Sequence, residues 1–358
     1  MKHALVTGFP GFIGRRLVHS LLATSGGARV TALVEARMEG VAGELAAEHG
    51  DRLEVVRGDI GERRLALPEA DWERLTGSVD TVFHLAAIYD LAVPLELAQR
   101  VNVEGTGNVL DFCAAAGDLR RHVYVSTAYV AGLRRGVVYE HELVMGQGFK
   151  NHYESTKFQA EAWVRERRQE VPTTILRPAI VVGDSRSGET EKFDGPYYIL
   201  RSIAQAQRAG RAPLQFGRAD APFNVVPVDY VVAAMVAAAT DEAMAGQTLH
   251  LVDSDPLTAR DLVDALSREY AGRETRGRVP PWVVASALRL AQVRKLLSDT
   301  PRESIAYLNH PVRFDTRRAI ELLAPHGLRP PRFGDYVEPM VRFFREHERD
   351  PACVPKRA

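Results

Sequence analysis

The residues from His3 to Gly14 limit the possible folds of this chain more than any other part of its sequence. Positions 3–7 read as a short buried strand, and an apolar-periodic helix begins soon after the turn that follows. Glycines in such a turn let the backbone bend tightly and approach a pyrophosphate, while the helix N-terminus offers free N–H groups. A plain loop is the alternative, since G-x-x-G-x-x-G is one residue longer than the usual fingerprint. The pattern predicts a phosphate-binding turn formed by Gly8, Phe9, Pro10, Gly11, Phe12, Ile13, Gly14 and Arg15.

Four more strands with intervening helices follow along the first half of the chain. Residues 29–34, 53–57, 80–85 and 122–125 are short apolar runs of the kind that form buried parallel strands. This alternation predicts an α/β fold with a Rossmann-type, doubly wound parallel sheet. We expect residues 1–182 to form the dinucleotide-binding domain, with 227–252 returning to it. Residues 183–226 and 253–358 are then expected to form a smaller, mainly helical substrate lobe.

The strand ends supply candidate contacts for a dinucleotide. Glu35 follows the second strand, roughly 20 residues after the glycine turn, where an acid holds the ribose 2′-hydroxyl of NAD. Arg15 and Arg37 are alternative partners for the 2′-phosphate of NADP. Asp59 is expected to accept from the adenine amino group, although capping its own loop is an equal alternative. The further predicted cofactor contacts at strand ends are Ile60, Ala86 and Ala87.

Tyr153 and Lys157 are the candidate reactive pair. At four residues' spacing in a helix they lie on one face, and a cation one turn away favours a lower pKa for the phenol. Taken alone, the pair reads more simply as a half-buried ring with a snorkelling lysine. The fifth strand, however, ends at Ser126-Thr127, where hydroxyls meet the ligand edge of a parallel sheet. The sequence therefore predicts an acid–base site built from Thr127, Tyr153 and Lys157.

Composition narrows the other possibilities. The chain has 46 basic and 46 acidic residues, so no net field would recruit nucleic acid or an anionic membrane. Two cysteines, Cys113 and Cys353, give neither a disulfide framework nor metal-ligand spacing, and we expect no metal. The longest apolar run, 231–239, is too short to span a bilayer. We expect a soluble, cytoplasmic protein.

Taken together, these motifs resemble the extended short-chain dehydrogenase/reductase superfamily over roughly residues 3–230. The resemblance rests on the glycine turn, Asp59, His84-Leu85-Ala86-Ala87, Asn102, Ser126-Thr127 and Tyr153-x-x-x-Lys157. Val125-Ser126-Thr127, residues 151–157 and residues 182–189 are similar to the branch of fatty acyl-CoA reductases and thioester reductase domains.

The resemblance implies a role for each matching residue. Tyr153 is the proton donor or acceptor, Thr127 orients the substrate oxygen, and Lys157 binds the nicotinamide ribose and lowers the pKa of Tyr153. Further residues are implied to contact or support the cofactor, namely Asn102, Ser126, Pro178, Ala179 and Ile180. The implied reaction transfers hydride between nicotinamide and a carbonyl, most simply that of an acyl thioester, a long-chain aldehyde or a ketone.

Two departures bear on cofactor and substrate. Members of this branch resemble NADPH users and often carry arginine near the position of Glu35, so NADP(H) is favoured by resemblance while Glu35 leaves NAD(H) open. We also expect a thioester to arrive free, as an acyl-CoA, or on a separate carrier. Ala128 stands where sugar-nucleotide dehydratases of the superfamily continue with an Asp-Glu pair, which disfavours dehydration.

Several other predictions stay open. A sugar-nucleotide epimerase with tightly bound NAD and a dinucleotide-binding sensor without turnover are the alternative functions. The helices at 102–116 and 153–168 resemble the pair that forms a four-helix dimer interface, so we expect a homodimer. An amphipathic helix at 281–297 is expected either to line an acyl channel, to lie on a membrane surface, or simply to belong to the core.

Overall fold

A computed structural model describes residues 1–24, 27–90, 93–216, 220–279 and 307–353. The strands are β1 (His3–Thr7), β2 (Arg29–Val34), β3 (Leu53–Arg57), β4 (Thr81–His84), β5 (Arg121–Val125), β6 (Gly136–Val138), β7 (Thr173–Pro178), β8 (Ile180–Val182), β9 (Gln215–Phe216), β10 (Val225–Pro227), β11 (Thr248–Leu251), β12 (Arg278–Val279) and β13 (Val312–Phe314). The helices are α1 (Phe12–Thr24), α2 (Glu39–Ala47), α3 (Glu69–Thr76), α4 (Leu95–Ala98), α5 (Gly105–Ala115), α6 (His152–Glu166), α7 (Tyr197–Arg208), α8 (Val228–Thr240), α9 (Ala259–Ala271), α10 (Arg317–Leu323) and α11 (Phe333–His347).

Seven of the strands form one parallel sheet in the order β11-β7-β5-β4-β1-β2-β3. The order reverses beside β1, so β1 and β4 lie side by side at the point where a doubly wound sheet opens a crevice beyond its strand ends. The predicted fold class is confirmed. β11 joins the sheet beside β7, as expected for residues 227–252, while the division into domains stays a prediction.

Helices cover both faces of the sheet because its strands are apolar on both sides. On one face α1 packs against α8, and Leu17, Val18 and Val231 lie fully buried between them and the sheet. On the other face α5 and α6 bury Leu110 and Val164. Burial of each such side chain stabilises the fold by about 1.5–3 kcal/mol. The two layers fix the strand ends that carry the polar residues.

The helices α7, α9 and α11 contact one another and form a second group of helices. The side chains of Tyr197 and Phe344 lie buried there against Phe193. The sequence predicted helices close to α8, α9 and α11 but not the short parallel pair of β6 and β13. Three-residue strands carry too little periodicity to be recognised from sequence. The predicted helix at 281–297 lies outside the described residues. Among the helices that the structure describes, none has the length and apolarity needed to cross a bilayer.

Candidate active site

The glycine turn lies between β1 and α1, against the end of β4. Gly8 adopts a φ of +92°, which side chains rarely tolerate. Gly14 lies on the first turn of α1, where a Cβ atom would stand 2.4 Å from the carbonyl oxygen of Gly8. This close approach brings the N-terminus of α1 against the end of β1, beside Leu85 and Ala86 at the end of β4. Its geometry fits the pyrophosphate of a dinucleotide.

Each of the three charged residues predicted for the adenosine end, Glu35, Arg37 and Arg15, forms an ion pair within the protein. The Arg37 Nε atom donates to the Glu35 carboxylate over 2.6 Å at the end of β2. Arg15 forms an ion pair with Glu191, in the segment before α7. The partner of Arg15 is therefore Glu191 rather than Glu35. Since the Glu35–Arg37 pair is exposed, it is worth little and either group can turn to a ligand.

Asp59 and Ile60 follow β3. One Asp59 oxygen accepts the Gly61 N–H over 2.8 Å and the other accepts from Arg100 over 3.2 Å, so the loop-capping alternative is present in the structure. Ile60 has 6% of its surface exposed and packs in the core under α5, while its carbonyl accepts from Asn108 over 2.7 Å. The side chain of Ile60 thus packs into the core, while its predicted contact with the cofactor stays a prediction.

A buried hydroxyl–imidazole chain fixes the end of β4. Thr7 and His84 Nδ1 lie 2.8 Å apart, and His84 Nε2 lies 3.1 Å from the hydroxyl of Thr106 on α5. Burial, together with the nearby charge of Lys157, lowers the pKa of His84 well below its usual value, so the ring is neutral. The Thr7 hydroxyl also accepts the Ala86 N–H over 3.2 Å. Ala86 and Ala87, half-buried, are held in this way against the glycine turn.

The three predicted catalytic residues converge at the next strand end. Asn151 stands immediately before α6 and caps the helix by accepting the Glu154 N–H over 2.9 Å. Tyr153 lies on the first turn, and its phenol lies close enough to the Thr127 hydroxyl at the end of β5 for that hydroxyl to lower its pKa. One turn later, the Lys157 ammonium donates to the Val125 carbonyl over 2.8 Å.

The pKa values of Tyr153 and Lys157 follow from burial. Burial raises the pKa of Tyr153 above its usual range, although the nearby Thr127 hydroxyl acts to lower it. That Lys157 lowers the pKa of Tyr153 stays a prediction. Burial lowers the pKa of Lys157 to about 7, against the opposing effect of Glu161. A protonated phenol is suited to donate a proton at neutral pH.

The side chains of Ser126 and Asn102, both predicted cofactor residues, form hydrogen bonds within the protein. The Ser126 hydroxyl donates to Glu161 over 2.7 Å. Asn102 lies in the π-helical stretch Gln99–Glu104. Its amide accepts the Ile88 N–H over 2.8 Å and donates to Thr156 over 3.1 Å. It thereby ties the loop after β4 to α6, in line with its predicted supporting role.

Pro178, Ala179 and Ile180 lie where β7 gives way to β8. The Ala179 N–H donates to Leu251 of β11 over 3.0 Å, so this N–H serves the sheet. Ala179 is buried, and Ile180 is half-buried beside Gly195. The segment is therefore fixed in place at the strand end, while its contact with a carboxamide stays a prediction.

Sequence reasoning missed two groups of residues at the site. Tyr89, 53% exposed, lies edge-on to Tyr153 with ring centroids 5.1 Å apart. Arg177 forms a fully buried ion pair with Glu161. Glu161 stands four residues after Lys157, so its helical spacing was the available signal. Tyr89 lies in a loop with no periodicity and gave no signal.

The fold and the site define the class of this protein: an extended short-chain dehydrogenase/reductase that binds a nicotinamide dinucleotide. The NAD-binding family described as male sterility protein matches residues 6–235. The chain belongs to this family. The predicted superfamily, the thioester reductase branch and the enzyme class of NAD(P)-dependent oxidoreductase are thereby confirmed.

Similar proteins include both multidomain and compact reductases. The L-2-aminoadipate reductase large subunit of Penicillium chrysogenum is 28% identical over 282 residues, which are 70% of this chain and 19% of that protein. Fatty acyl-CoA reductase 1 of Arabidopsis thaliana is 24% identical and covers 77% of this chain and 72% of its own length. The terminal R domain of the myxalamid PKS-NRPS pathway has a TM-score of 0.81 at 25% identity, covering 99% of this chain and 92% of that domain. This chain thus spans less than a fifth of the aminoadipate reductase that it matches.

Proposed function

We propose that this chain reduces an acyl thioester to an aldehyde with NAD(P)H, and that long-chain aldehydes or ketones are reduced at the same site. The bound cofactor supplies a hydride to the carbonyl carbon. Tyr153 gives its proton to the carbonyl oxygen, which turns the thioester into a hemithioacetal. Breaking its C–S bond releases the aldehyde and the thiol. Reduction of the aldehyde to the alcohol consumes a second NAD(P)H.

The side chains divide the work around the carbonyl oxygen. Thr127 orients that oxygen toward Tyr153 by a second hydrogen bond, which stabilises the negative charge that builds as hydride arrives. Lys157 would hold the nicotinamide ribose of the cofactor. The raised pKa of Tyr153 means that the phenol still carries its proton at neutral pH, as reduction requires.

One observation carries this proposal: the Thr127 hydroxyl and the Tyr153 phenol come together at the end of β5, where Lys157 is bound to the Val125 carbonyl, in a fold whose first strand ends in the glycine turn. The test is turnover of NADPH and NADH with a panel of acyl-CoAs, aldehydes and ketones. Tyr153→Phe is expected to lower kcat by about 10²–10⁴-fold while cofactor binding persists. Tyr139→Phe, at an exposed ring over which Arg317 lies, is the matched control and is expected to keep kcat. Absence of turnover from folded wild-type protein would overturn the proposal.

For the cofactor we infer that NADP(H) is preferred, with Arg37 leaving Glu35 to bind the 2′-phosphate. The support is the family resemblance and the position of this exposed pair at the end of β2. Arg37→Ala is expected to raise the KM for NADPH about tenfold and leave the KM for NADH unchanged, since one charge-assisted fork is lost. If NADH has the lower KM and Glu35→Ala raises it, the cofactor is NAD(H) instead.

The same samples test the alternative functions. NAD released from the pure protein on denaturation, with no turnover of the panel, would support a sugar-nucleotide epimerase. Cofactor binding without turnover, unaffected by Tyr153→Phe, would support a sensor. The relatives named as reductases favour the first proposal.

We also propose that the chain forms a homodimer through the outer faces of α5 and α6. A groove of about 500 Å³ lies there, remote from Tyr153, and Trp163 forms part of its wall. Trp163 is 43% exposed and lies over Gly107 of the neighbouring helix. An exposed tryptophan on a helix pair is typical of a protein interface.

A further inference from the structure

Glu161 is a fully buried carboxylate to which the proposed mechanism gives no role. Its exposure is 0%, and it stands on the face of α6 that also carries Tyr153 and Lys157, four residues apart in turn. A buried carboxylate is costly unless it is paired and hydrogen-bonded. The partners of Glu161 therefore show what the group is built to hold.

Three side chains bind the Glu161 carboxylate. Arg177 on β7 donates through Nε over 2.9 Å and through a terminal nitrogen over 2.6 Å, in a bidentate pair. Arg165, one turn further along α6, donates over 2.9 Å. The Ser126 hydroxyl at the end of β5 donates over 2.7 Å. Although burial acts to raise it, these groups lower the pKa of Glu161 to about 2, so the carboxylate is charged throughout the working range of pH.

Two successive residues at the end of β5, Val125 and Ser126, are hydrogen-bonded to side chains of α6. Lys157 donates to the Val125 carbonyl over 2.8 Å, and Ser126 donates to Glu161. The next residue is Thr127, whose hydroxyl meets Tyr153. The position of Thr127 relative to Tyr153 is thus set by the two bonds immediately before it. A shift of about 1 Å there would separate the reacting groups.

Glu161 also provides the negative charge near the Lys157 ammonium. Lys157 is 3% exposed, and it packs against His84 from β4 and the ring of Tyr124 from β5. His84 is neutral, and burial raises the pKa of Tyr124, so neither supplies a counter-charge. Removing the charge of Glu161 would take away the carboxylate that favours the protonated form of Lys157.

We propose that Glu161 is a positioning residue of the reductase, which holds Thr127 in register through Ser126 and keeps Lys157 protonated for cofactor binding. The proposal rests on the proposed function for the roles of Thr127 and Lys157. This role differs from a merely structural one because the charge of Glu161 sets the pH at which the Lys157 ammonium loses its proton.

Glu161→Gln tests the proposal, since it keeps the shape of the side chain and removes its charge. The measurements are kcat/KM from pH 5.5 to 9.5 and the dissociation constant of NADPH, followed by fluorescence over the same range. Activity and binding are expected to fall as pH rises through the pKa of Lys157. In Glu161→Gln this alkaline limb is expected about 1 pH unit lower than in the wild type. We expect kcat to fall about tenfold or more, with little change in the KM for substrate.

Two further variants distinguish the effect of the Glu161 charge from the effect of the position of Thr127. Glu161→Asp keeps the charge, so its alkaline limb is expected to coincide with that of the wild type even though kcat is reduced. Ser126→Ala removes only the hydroxyl, so kcat is expected to fall several-fold without movement of the limb. If Glu161→Gln fails to fold, these two variants decide the outcome. An unchanged kcat in Ser126→Ala, or a displaced limb in Glu161→Asp, overturns the proposal.

Glu140→Gln is the matched control. Glu140 is another buried carboxylate, and it accepts backbone N–H groups of His250, Arg318 and Ala319 rather than holding Lys157. Burial raises the pKa of Glu140 to about 7, so this group titrates in the same range and must be distinguished from Lys157. Its variant is expected to keep the wild-type limb. Loss of the limb in Glu140→Gln, or a limb in Glu161→Gln that matches the wild type, overturns the proposal. Because NADPH binding is read separately, a chain that turns over nothing still tests it.

Discussion

At the scale of single residues, the buried ammonium of Lys157 lowers the stability of the fold at the position where the site needs a cation. The ammonium lies among the Val125 carbonyl, the Tyr124 ring and His84, and burial lowers its pKa to about 7. In the unfolded chain the same group titrates near 10.4. Between these two pH values the unfolded state binds more protons, so stability rises with pH in that range. The cost of burying Lys157 is therefore greatest below pH 7.

Lys157→Met is expected to stabilise the fold at pH 6. The variant removes the cost of the buried charge and loses one hydrogen bond to the Val125 carbonyl. The net gain in the free energy of unfolding is expected to be about 1–3 kcal/mol at pH 6. It should vanish or reverse by pH 10, where the folded wild-type protein holds this lysine neutral and no buried charge remains to be removed. Guanidinium unfolding at the two pH values measures the difference.

Lys150→Met is the matched control for this prediction. Lys150 is also a buried lysine, and burial lowers its pKa, but it forms an ion pair with the fully buried Glu154 over 3.0 Å. Removing it leaves that carboxylate without its cation, so a loss of about 3–5 kcal/mol is expected at pH 6. Destabilisation of Lys157→Met at pH 6 to the same extent as Lys150→Met would contradict the argument.

At the scale of secondary-structure elements, the junction of β1 and α1 decides whether a dinucleotide binds. A methyl group at Gly14 would meet the Gly8 carbonyl at 2.4 Å, which forces the strand and helix apart. Gly14→Ala is expected to destabilise the fold by about 1–3 kcal/mol and to weaken NADPH binding at least tenfold. Thermal melting and fluorescence titration are the measurements.

A second helical glycine provides the comparison. Gly43 lies within α2, and nothing lies within 4 Å of a Cβ atom built there. Gly43→Ala is expected to be neutral or to stabilise the fold by up to about 1 kcal/mol, because alanine loses less backbone entropy in a helix. Equal effects of the two substitutions would show that close packing at Gly14 is unimportant.

The same elements explain what the sequence could predict. Strand ends, the glycine turn and the spacing of Tyr153 and Lys157 are local patterns, so the sheet and the trio with Thr127 were predictable. Contacts between distant segments were not. Asn102 reaches Ile88 and Thr156, and Ser126 turns to Glu161, because helix packing brings these segments together. The effect of burial on the Tyr153 pKa was not predictable for the same reason, since burial depends on the whole fold.

At the scale of the whole molecule, the C-terminal part of the chain closes over the N-terminus of α6. The Asn151 amide donates to the Tyr307 hydroxyl over 3.0 Å. The Lys150 ammonium lies 5.6 Å from the ring centroid of Tyr129 and 5.1 Å from that of Tyr307. The aromatic cluster therefore shields the Lys150–Glu154 pair next to Tyr153. The residues around the N-terminus of α6 therefore come from distant parts of the chain.

The opposite face, formed by α5 and α6, is where association of two chains is expected. Trp163 stands at its centre, with the ion pair of Arg167 and Asp111, 2.6 Å apart, beside it. A two-fold axis would place each tryptophan against the same patch of its partner. Trp163→Glu is expected to weaken the dimer at least about 100-fold, as loss of a central aromatic anchor does. Light-scattering mass across a concentration series measures this, and Val144→Glu, at a site 71% exposed that does not line the groove, is expected to remain dimeric. A wild-type chain that is monomeric at high concentration would refute the prediction, and dissociation of Val144→Glu with Trp163→Glu still dimeric would place the interface elsewhere.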